Sequence, residues 1–307
     1  MTPHFLQTKA WRDFKQSEGI KIFSESTKTY SYTALQESTP LGNYFFVPYG
    51  PTLSDKSYLK PALTSLKKLA KSEHPLFIRI EPTLPFSPEE MSKYGLKKTK
   101  NISPEHTQIL DLTSSESDLL SSMKPNNRNL YRNHTKKGIT ITTTKDPTKV
   151  TILTDLMRGV SAHNHFHTHS PEYLKNQLAS GFATLYVASL DQKPIAAALV
   201  YDTKTTRYYA QAAADYTHRN LSAGTILVVK IILDAKKNGQ KTFDFWGITP
   251  SEDPKHPWYG FTKFKKSFGG TQLTYSGTYD LPVKPLKYQL YRLIRSINLS
   301  LRRLKRP

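Results

Sequence analysis

The sequence predicts a mixed α/β protein of two domains, and three observations carry that reading. A chain of 307 residues is longer than one average domain. Hydrophobic residues make up 37% and aromatics 11%, with 18 Tyr and 14 Phe, enough apolar surface to build true cores. A unit of strand and helix patterns also appears twice along the chain.

The first unit begins at Tyr44-Phe45-Phe46-Val47, which reads as a strand running into the turn Pro48-Tyr49-Gly50-Pro51. Residues 57–72 then place Leu59, Leu63, Leu66 and Leu69 on one helical face, with Pro61 in the first turn, and Leu76 to Ile80 reads as a buried strand. In the second unit, residues 222–239 form an apolar helix closing at Gly239, followed by a strand from Lys241 to Gly247. The similarity reads as a weak internal duplication. Between the two, Thr184 to Leu190, the turn Asp191-Gln192-Lys193-Pro194 and Ile195 to Tyr201 make a hairpin, with Arg207 to Ala213 as a third strand. A basic helix starts after Pro125, carries Arg128, Arg132, Lys136 and Lys137, and closes at Gly138 before a strand from Ile139 to Thr143. The expected domains are 1–145 and 146–275, with 276–307 as a strand and helix returning to the first. From Leu281 onward the chain has eight Lys or Arg and no acid, with Leu286, Leu290, Leu293, Ile294, Ile297, Leu301 and Leu304 at helical spacing, so it ends in a basic amphipathic helix.

Composition excludes several chemistries. With no cysteine there is no disulfide framework, thiolate metal site or Cys nucleophile. The first residues lack a leader pattern and the longest apolar run, Ile195 to Tyr201, is too short to span a bilayer, so a cytoplasmic protein is expected. Lys and Arg exceed Asp and Glu by 44 to 24, a formal charge of +20, which calls for an anionic partner: nucleic acid, an anionic membrane face or a polyphosphate.

Several segments, taken in order, resemble the Fem family of peptidoglycan-bridge aminoacyltransferases. They are Phe5-Leu6-Gln7 with Trp11 and Phe14-Lys15; Val47 to Pro51; Phe77 to Pro82; Leu110-Asp111-Leu112 with the Arg128 to Gly138 helix; Ala235 to Gly239; Phe243-Asp244-Phe245-Trp246-Gly247-Ile248; Gly260 to Gly270; and Tyr275 to Pro282. The resemblance implies two acetyltransferase-like (GNAT-type) domains with mixed central sheets. It implies a reaction in which the amine on the third residue of a stem peptide attacks the ester carbonyl of an aminoacyl-tRNA, transferring Gly, Ala or Ser. The partners implied are an aminoacyl-tRNA donor and a lipid-linked or nucleotide-linked muramyl-peptide acceptor. Two positions depart from the family pattern: Tyr49 stands where the turn usually carries Arg, and Ser170 where the member using a nucleotide-linked precursor carries Arg.

An ester to ribose is already activated, so such an enzyme needs alignment and a cation for the oxyanion or leaving oxygen rather than a covalent nucleophile. Phe264-Lys265 falls on the family's Phe-Lys pair, which makes Lys265 the catalytic candidate and Phe264 its neighbour, packing on the terminal adenosine or holding the lysine. Lys15, Tyr173 and Tyr209 are the substrate-binding candidates by the same alignment. Phe268 reads as core and Gly269-Gly270 as a helix stop. Asp111 and Asp244 invite a general-base role, but a lone acid at a strand end usually caps a turn, and water or the substrate can take the proton. His163, His165, His167 and His169 alternate, yet they lie between helical patterns and have no acid at ligand spacing except Glu172, so no metal is expected. No cofactor is expected either. Coenzyme A would need a pyrophosphate loop, and Arg219 to Gly224 supplies only its last glycine. A non-catalytic RNA-binding module remains the other alternative, supported by charge but by no RNA-binding signature. For the tail, packing on the first domain is expected of the first half of the apolar stripe, and contact with the anionic inner membrane leaflet of the cations at 302–306.

Overall fold

A computed structural model describes residues 2–164 and 169–304, the side chains of 160–164 and 298–304 excepted. The chain divides into two compact units, 1–105 with 274–307, and 106–273.

In the first unit α1 (Lys9–Ser17) is capped by the Thr8 side chain and precedes the meander β1 (Ile22–Ser26), β2 (Tyr30–Thr39) and β3 (Gly42–Val47). The short β4 (Thr52–Leu53) pairs with β2. Helix α2 (Leu59–Glu73) buries Leu59, Ala62, Leu63, Leu66 and Ala70, the face that the leucine spacing marks, and leads into β5 (Phe77–Ile80). Because the helix carries the chain back over the sheet, β5 lies parallel to β3. Then follow α3 (Pro88–Ser92), started by a Ser87–Glu90 capping box, and β6 (Lys97–Lys98).

The second unit starts with β7 (His106–Asp111), α4 (Glu116–Ser122) and α5 (Pro125–Arg132). It continues with β8 (Ile139–Thr144), α6 (Val150–Asn164), α7 (Pro171–Ala179), β9 (Ala183–Leu190), β10 (Lys193–Asp202) and β11 (Thr206–Ala214). After α8 (Ala223–Lys237) come β12 (Thr242–Ile248), α9 (Tyr259–Lys266) and β13 (Thr271–Thr274). Strands β11 and β12 are parallel and joined by α8, as β3 and β5 are joined by α2, so the duplication read from the sequence is one topological unit used in both sheets. The seven-stranded sheet runs β13-β7-β12-β11-β10-β9-β8, and α8 buries Ile226, Leu227, Val228, Val229, Ile231 and Ile232 against it.

The chain then returns to the first unit as β14 (Tyr279–Pro282), which inserts between β5 and β6, and α10 (Pro285–Leu304). Both sheets are mixed, the α/β class expected. No helix among the described residues is long and apolar enough to cross a membrane.

Three expectations need correction. The boundary lies between Glu105 and His106 rather than near 145, because β7 pairs with β12 and β8 with β9, which ties the whole stretch from 106 to the second sheet. The basic helix is shorter than read: α5 stops at Arg132, and Lys136 and Lys137 sit in a separate 3-10 turn ended by Gly138 at φ 72°. On α10 the face that packs is aromatic, not aliphatic. Tyr288 and Tyr291 lie 5.3 and 4.9 Å from the Phe77 ring, while Leu286, Leu290, Leu293, Ile294 and Ile297 are exposed. The tyrosines win because their rings offer more area and the Tyr288 hydroxyl finds a buried acceptor, Asp280, at 3.1 Å. The cluster at 302–306 falls outside the described side chains.

Candidate active site

The site is built where two parallel strands come apart. Strand β11 pairs with β12 only through Thr206–Thr242, Arg207–Phe243 and Tyr208–Asp244. Beyond these residues a cavity of about 470 Å³ opens along β11, lined by Tyr209 to Ala214, by Gly224 and Leu227 of α8, and by Phe261, Phe264 and Lys265 of α9.

Alternation along β12 sends Phe243 and Phe245 into the core and Asp244 to the opposite face, where it is also buried. The strand then departs from regularity. Its register against β7 slips between Asp244–Ile109 and Gly247–Thr107, and Trp246 sits at φ 61°, a left-handed conformation that costs a non-glycine residue on the order of 1 kcal/mol. The bulge folds the backbone over the Asp244 carboxylate, which accepts from the Trp246 N–H at 2.7 Å and from the Thr107 hydroxyl. It also turns the Gly247 carbonyl to the Lys265 ammonium, which donates to it at 2.7 Å.

These groups bias one another. Burial pushes the Asp244 carboxyl up to about 6, against its hydrogen bonds with Thr107 and Trp246 and the nearby Lys265 charge. Burial brings Lys265 down to about 8, with the Asp244 charge opposing. Lys265 is therefore a cation at neutral pH that can give up its proton within the ordinary range. Its ammonium also lies 5.4 Å from the Phe261 ring.

Of the residues singled out from the sequence, Lys265, Phe264 and Tyr209 line this one cavity. Phe264 meets Phe268 edge-on at 5.1 Å, and Phe268 is stacked on Phe245, so the cavity wall continues directly into the core. Tyr209 packs on Phe243 and Phe245 at 6.4 and 6.1 Å, and burial raises its hydroxyl pKa. Tyr173 does not line the cavity. It stands in the first turn of α7, where its N–H bonds the Ser170 cap at 3.2 Å and its ring lies 4.8 Å from His169. Lys15 belongs to the first unit, on the last turn of α1, 5.8 Å from the Trp11 ring, and burial lowers its pKa against the opposing charges of Glu37 and Glu18. Gly269 and Gly270 follow α9 at φ 85° and 81°, and a Cβ on Gly270 would sit 2.2 Å from the Ile109 carbonyl, so the backbone approach itself demands glycine there.

Asp111 accepts from the Thr113 N–H and hydroxyl and so caps a turn, whereas Asp244 belongs with Lys265. Thr107 carried no signal in the sequence. Among the described residues no His, Asp and Glu are grouped to hold a metal ion, and His163, His165 and His167 lie outside the described side chains. A second groove, about 350 Å³, lies beside α9 and is lined by Lys124, Lys263 and Lys266 with Ser251, Glu252, Tyr259, Thr262 and Ser267.

Fold and site define a two-unit mixed α/β protein whose second sheet opens at its parallel strands into a cavity bearing a cation. The chain matches the FemAB family over residues 1–100 and 180–296, and it belongs to that family, whose members are aminoacyltransferases of peptidoglycan cross-bridges. Among solved structures it is similar to the crystal structure of FemX, at 19% identity over 94% of each chain, with a TM-score of 0.80. It is also similar to the C-terminal domain of a putative lysylphosphatidylglycerol synthetase from Agrobacterium fabrum, at 15% identity over 93% of this chain and 91% of that one, TM-score 0.62. The L-PGS structure from Bacillus licheniformis aligns at 11% identity over 97% and 98%, TM-score 0.56. No curated protein sequence matches it.

Proposed function

We propose that the protein transfers an amino acid (Gly, Ala or Ser) from an aminoacyl-tRNA to the stem-peptide amine of a peptidoglycan precursor, at the cytoplasmic side of the cell wall's assembly. The observation that carries this reading is the Lys265 ammonium on the wall of the cavity between β11 and α9, tethered by the Gly247 carbonyl. The neutral amine attacks the ester carbonyl, a C–N bond forms, the C–O bond to the ribose breaks, and the proton that the nitrogen loses passes to water, which returns one to Lys265 after the lysine has protonated the ribose oxygen. A preorganised ammonium in a partly dry cavity stabilises the charge that develops on oxygen and gives the departing ribose oxygen a proton donor. Asp244 touches no substrate in this scheme; it keeps Lys265 charged from below. Phe264 and Tyr209 offer aromatic walls to the adenosine end of the donor or the acceptor peptide. Lys15 and Tyr173 are assigned to acceptor binding on the alignment. The groove of Lys124, Lys263 and Lys266 with Tyr259 has the cation and aromatic mixture suited to single-stranded RNA, and we assign it to the phosphates behind the donor's reacting end.

The test is a mixture of purified protein, labelled charged tRNA and either nucleotide-linked or lipid-linked precursor, with mass spectrometry of the peptide. A gain of one amino-acid residue supports transfer. Binding of tRNA with no product from any precursor would instead favour an RNA-binding module, consumption of acetyl-coenzyme A a coenzyme A acyltransferase, and aminoacylation of phosphatidylglycerol the chemistry named for the synthetase neighbours.

A further inference from the structure

The surface of the first unit carries an apolar face that its own fold does not use. Eight large hydrophobic side chains are exposed among the described residues, and five of them stand on α10: Leu286 at 82%, Leu290, Leu293 at 58%, Ile294 and Ile297. At 100° per residue these five fall within about a third of the helix circumference. Tyr288 and Tyr291, which fix the helix to Leu76 and Phe77, lie on the side away from them. The helix is thus anchored by one face and presents the opposite one outward.

The charge on the helix has a single sign. Between 284 and 297 stand Lys284, Lys287, Arg292 and Arg295 and no acid. Arg295 is turned back to the Tyr291 hydroxyl at 3.4 Å and Arg292 lies on the tyrosine side of the helix, while Lys287 is exposed at the edge of the apolar stripe. A two-fold contact between copies through this stripe would bring together two acid-free, positively charged helices with Lys287 at the rim, and an acidic protein groove would leave the five aliphatic side chains without an apolar counterpart. A bilayer surface satisfies both: acyl chains receive the leucines, while anionic headgroups receive Lys287 at the edge of the stripe and attract the remaining positive charge of an acid-free helix.

We propose that α10 is an interfacial helix that docks the protein on an anionic lipid surface through Leu286, Leu290, Leu293, Ile294 and Ile297. The helix lies in the plane of the membrane and does not cross it. The docking is independent of the aminoacyl-transfer reading, because it needs neither tRNA nor precursor.

The experiment is co-sedimentation of the full chain with vesicles of phosphatidylglycerol and phosphatidylcholine in equal parts, and with phosphatidylcholine alone, both free of peptidoglycan precursor. The wild type should sediment with the anionic vesicles, and Leu290→Ser/Leu293→Ser/Ile297→Ser should lose about tenfold or more in partitioning. Since these side chains are already in solvent, the melting temperature should not fall. Lys287→Ser should weaken the preference for the anionic vesicles, while Arg292→Ser, on the tyrosine side, should change it less. As an independent readout, a Leu293→Trp variant should shift its emission to the blue on anionic vesicles. Equal sedimentation of the triple-serine variant and the wild type would overturn the proposal. So would a wild type that ignores vesicles but self-associates in sedimentation equilibrium and becomes monomeric on the triple substitution, which would make the stripe an interface between copies.

Discussion

Two buried pairs of opposite charge, one in each unit, are put to different uses. In the first unit Arg79 on β5 grips Asp280 on β14 with two bonds of 2.7 and 2.8 Å, both side chains are sealed from solvent, and Tyr288 adds a third bond to the carboxylate. Each charge has its complement, and the guanidinium is held still further above its already high range by Asp280 despite its burial. In the second unit Asp244 and Lys265 act on each other without a direct bond, the acid held by Thr107 and Trp246 and the base by a backbone carbonyl. Both are displaced toward neutrality, to about 6 and about 8. A closed, bidentate pair fastens one strand to another. An open pair at a cavity wall keeps a proton within reach of a ligand.

The contrast can be broken most forcefully at Arg79. Arg79→Met leaves the Asp280 carboxylate buried without its partner and should destabilise the first unit by about 3–5 kcal/mol, read as a lower denaturant midpoint. Lys265→Met should do the reverse, leaving the midpoint nearly unchanged while transfer falls about a hundredfold, equivalent to about 2.7 kcal/mol of transition-state stabilisation. Activity within threefold of wild type would remove Lys265 from the mechanism.

A pH profile sharpens the comparison. The Lys265 ammonium is lost as pH rises through about 8, so initial rates, corrected for spontaneous ester hydrolysis, should decline on that alkaline side. Asp244 raises the pKa of Lys265, and Asp244→Asn should therefore move the decline to lower pH, by about one unit. An unmoved limb would show that the two side chains are not coupled in catalysis. The smallest effect expected is on donor affinity. Lys124→Ser/Lys263→Ser/Lys266→Ser should weaken tRNA binding about tenfold and make its logarithmic salt dependence shallower by about 2, through lost phosphate contacts. Lys204→Ser/Lys237→Ser/Lys241→Ser, which removes the same charge away from the groove, should change the affinity much less.

What the sequence made legible follows from the range of the forces involved. Helix α8 and strand β12 are readable because apolar periodicity and a closing glycine are local properties, and the Phe264-Lys265 pair because its family pattern is contiguous. The boundary at Glu105 is not readable, since what assigns β7 to the second unit is its pairing with β12, far along the chain. Asp244 was visible as an acid in a strand, but its meaning depends on Thr107 and on the left-handed Trp246, which no spacing rule connects to it. The tail was misread for a related reason. Counting aliphatic positions identifies an apolar face without saying whether neighbouring tyrosines hold the other side of the helix.

The insertion of β14 between β5 and β6 has a consequence for how the chain is made. The second unit is one continuous stretch, 106–273, and can fold as soon as it leaves the ribosome. The first unit cannot. When residue 105 emerges, its sheet still has an open place between β5 and β6, and Arg79 waits for Asp280, separated from it by 201 positions of chain. Through the whole synthesis of the second unit the nascent chain exposes the edge of β5 with its apolar Phe77, Ile78 and Ile80, a surface that other chains can pair with. Completion of the first unit therefore comes last, and the step most open to misassembly is the arrival of a four-residue strand.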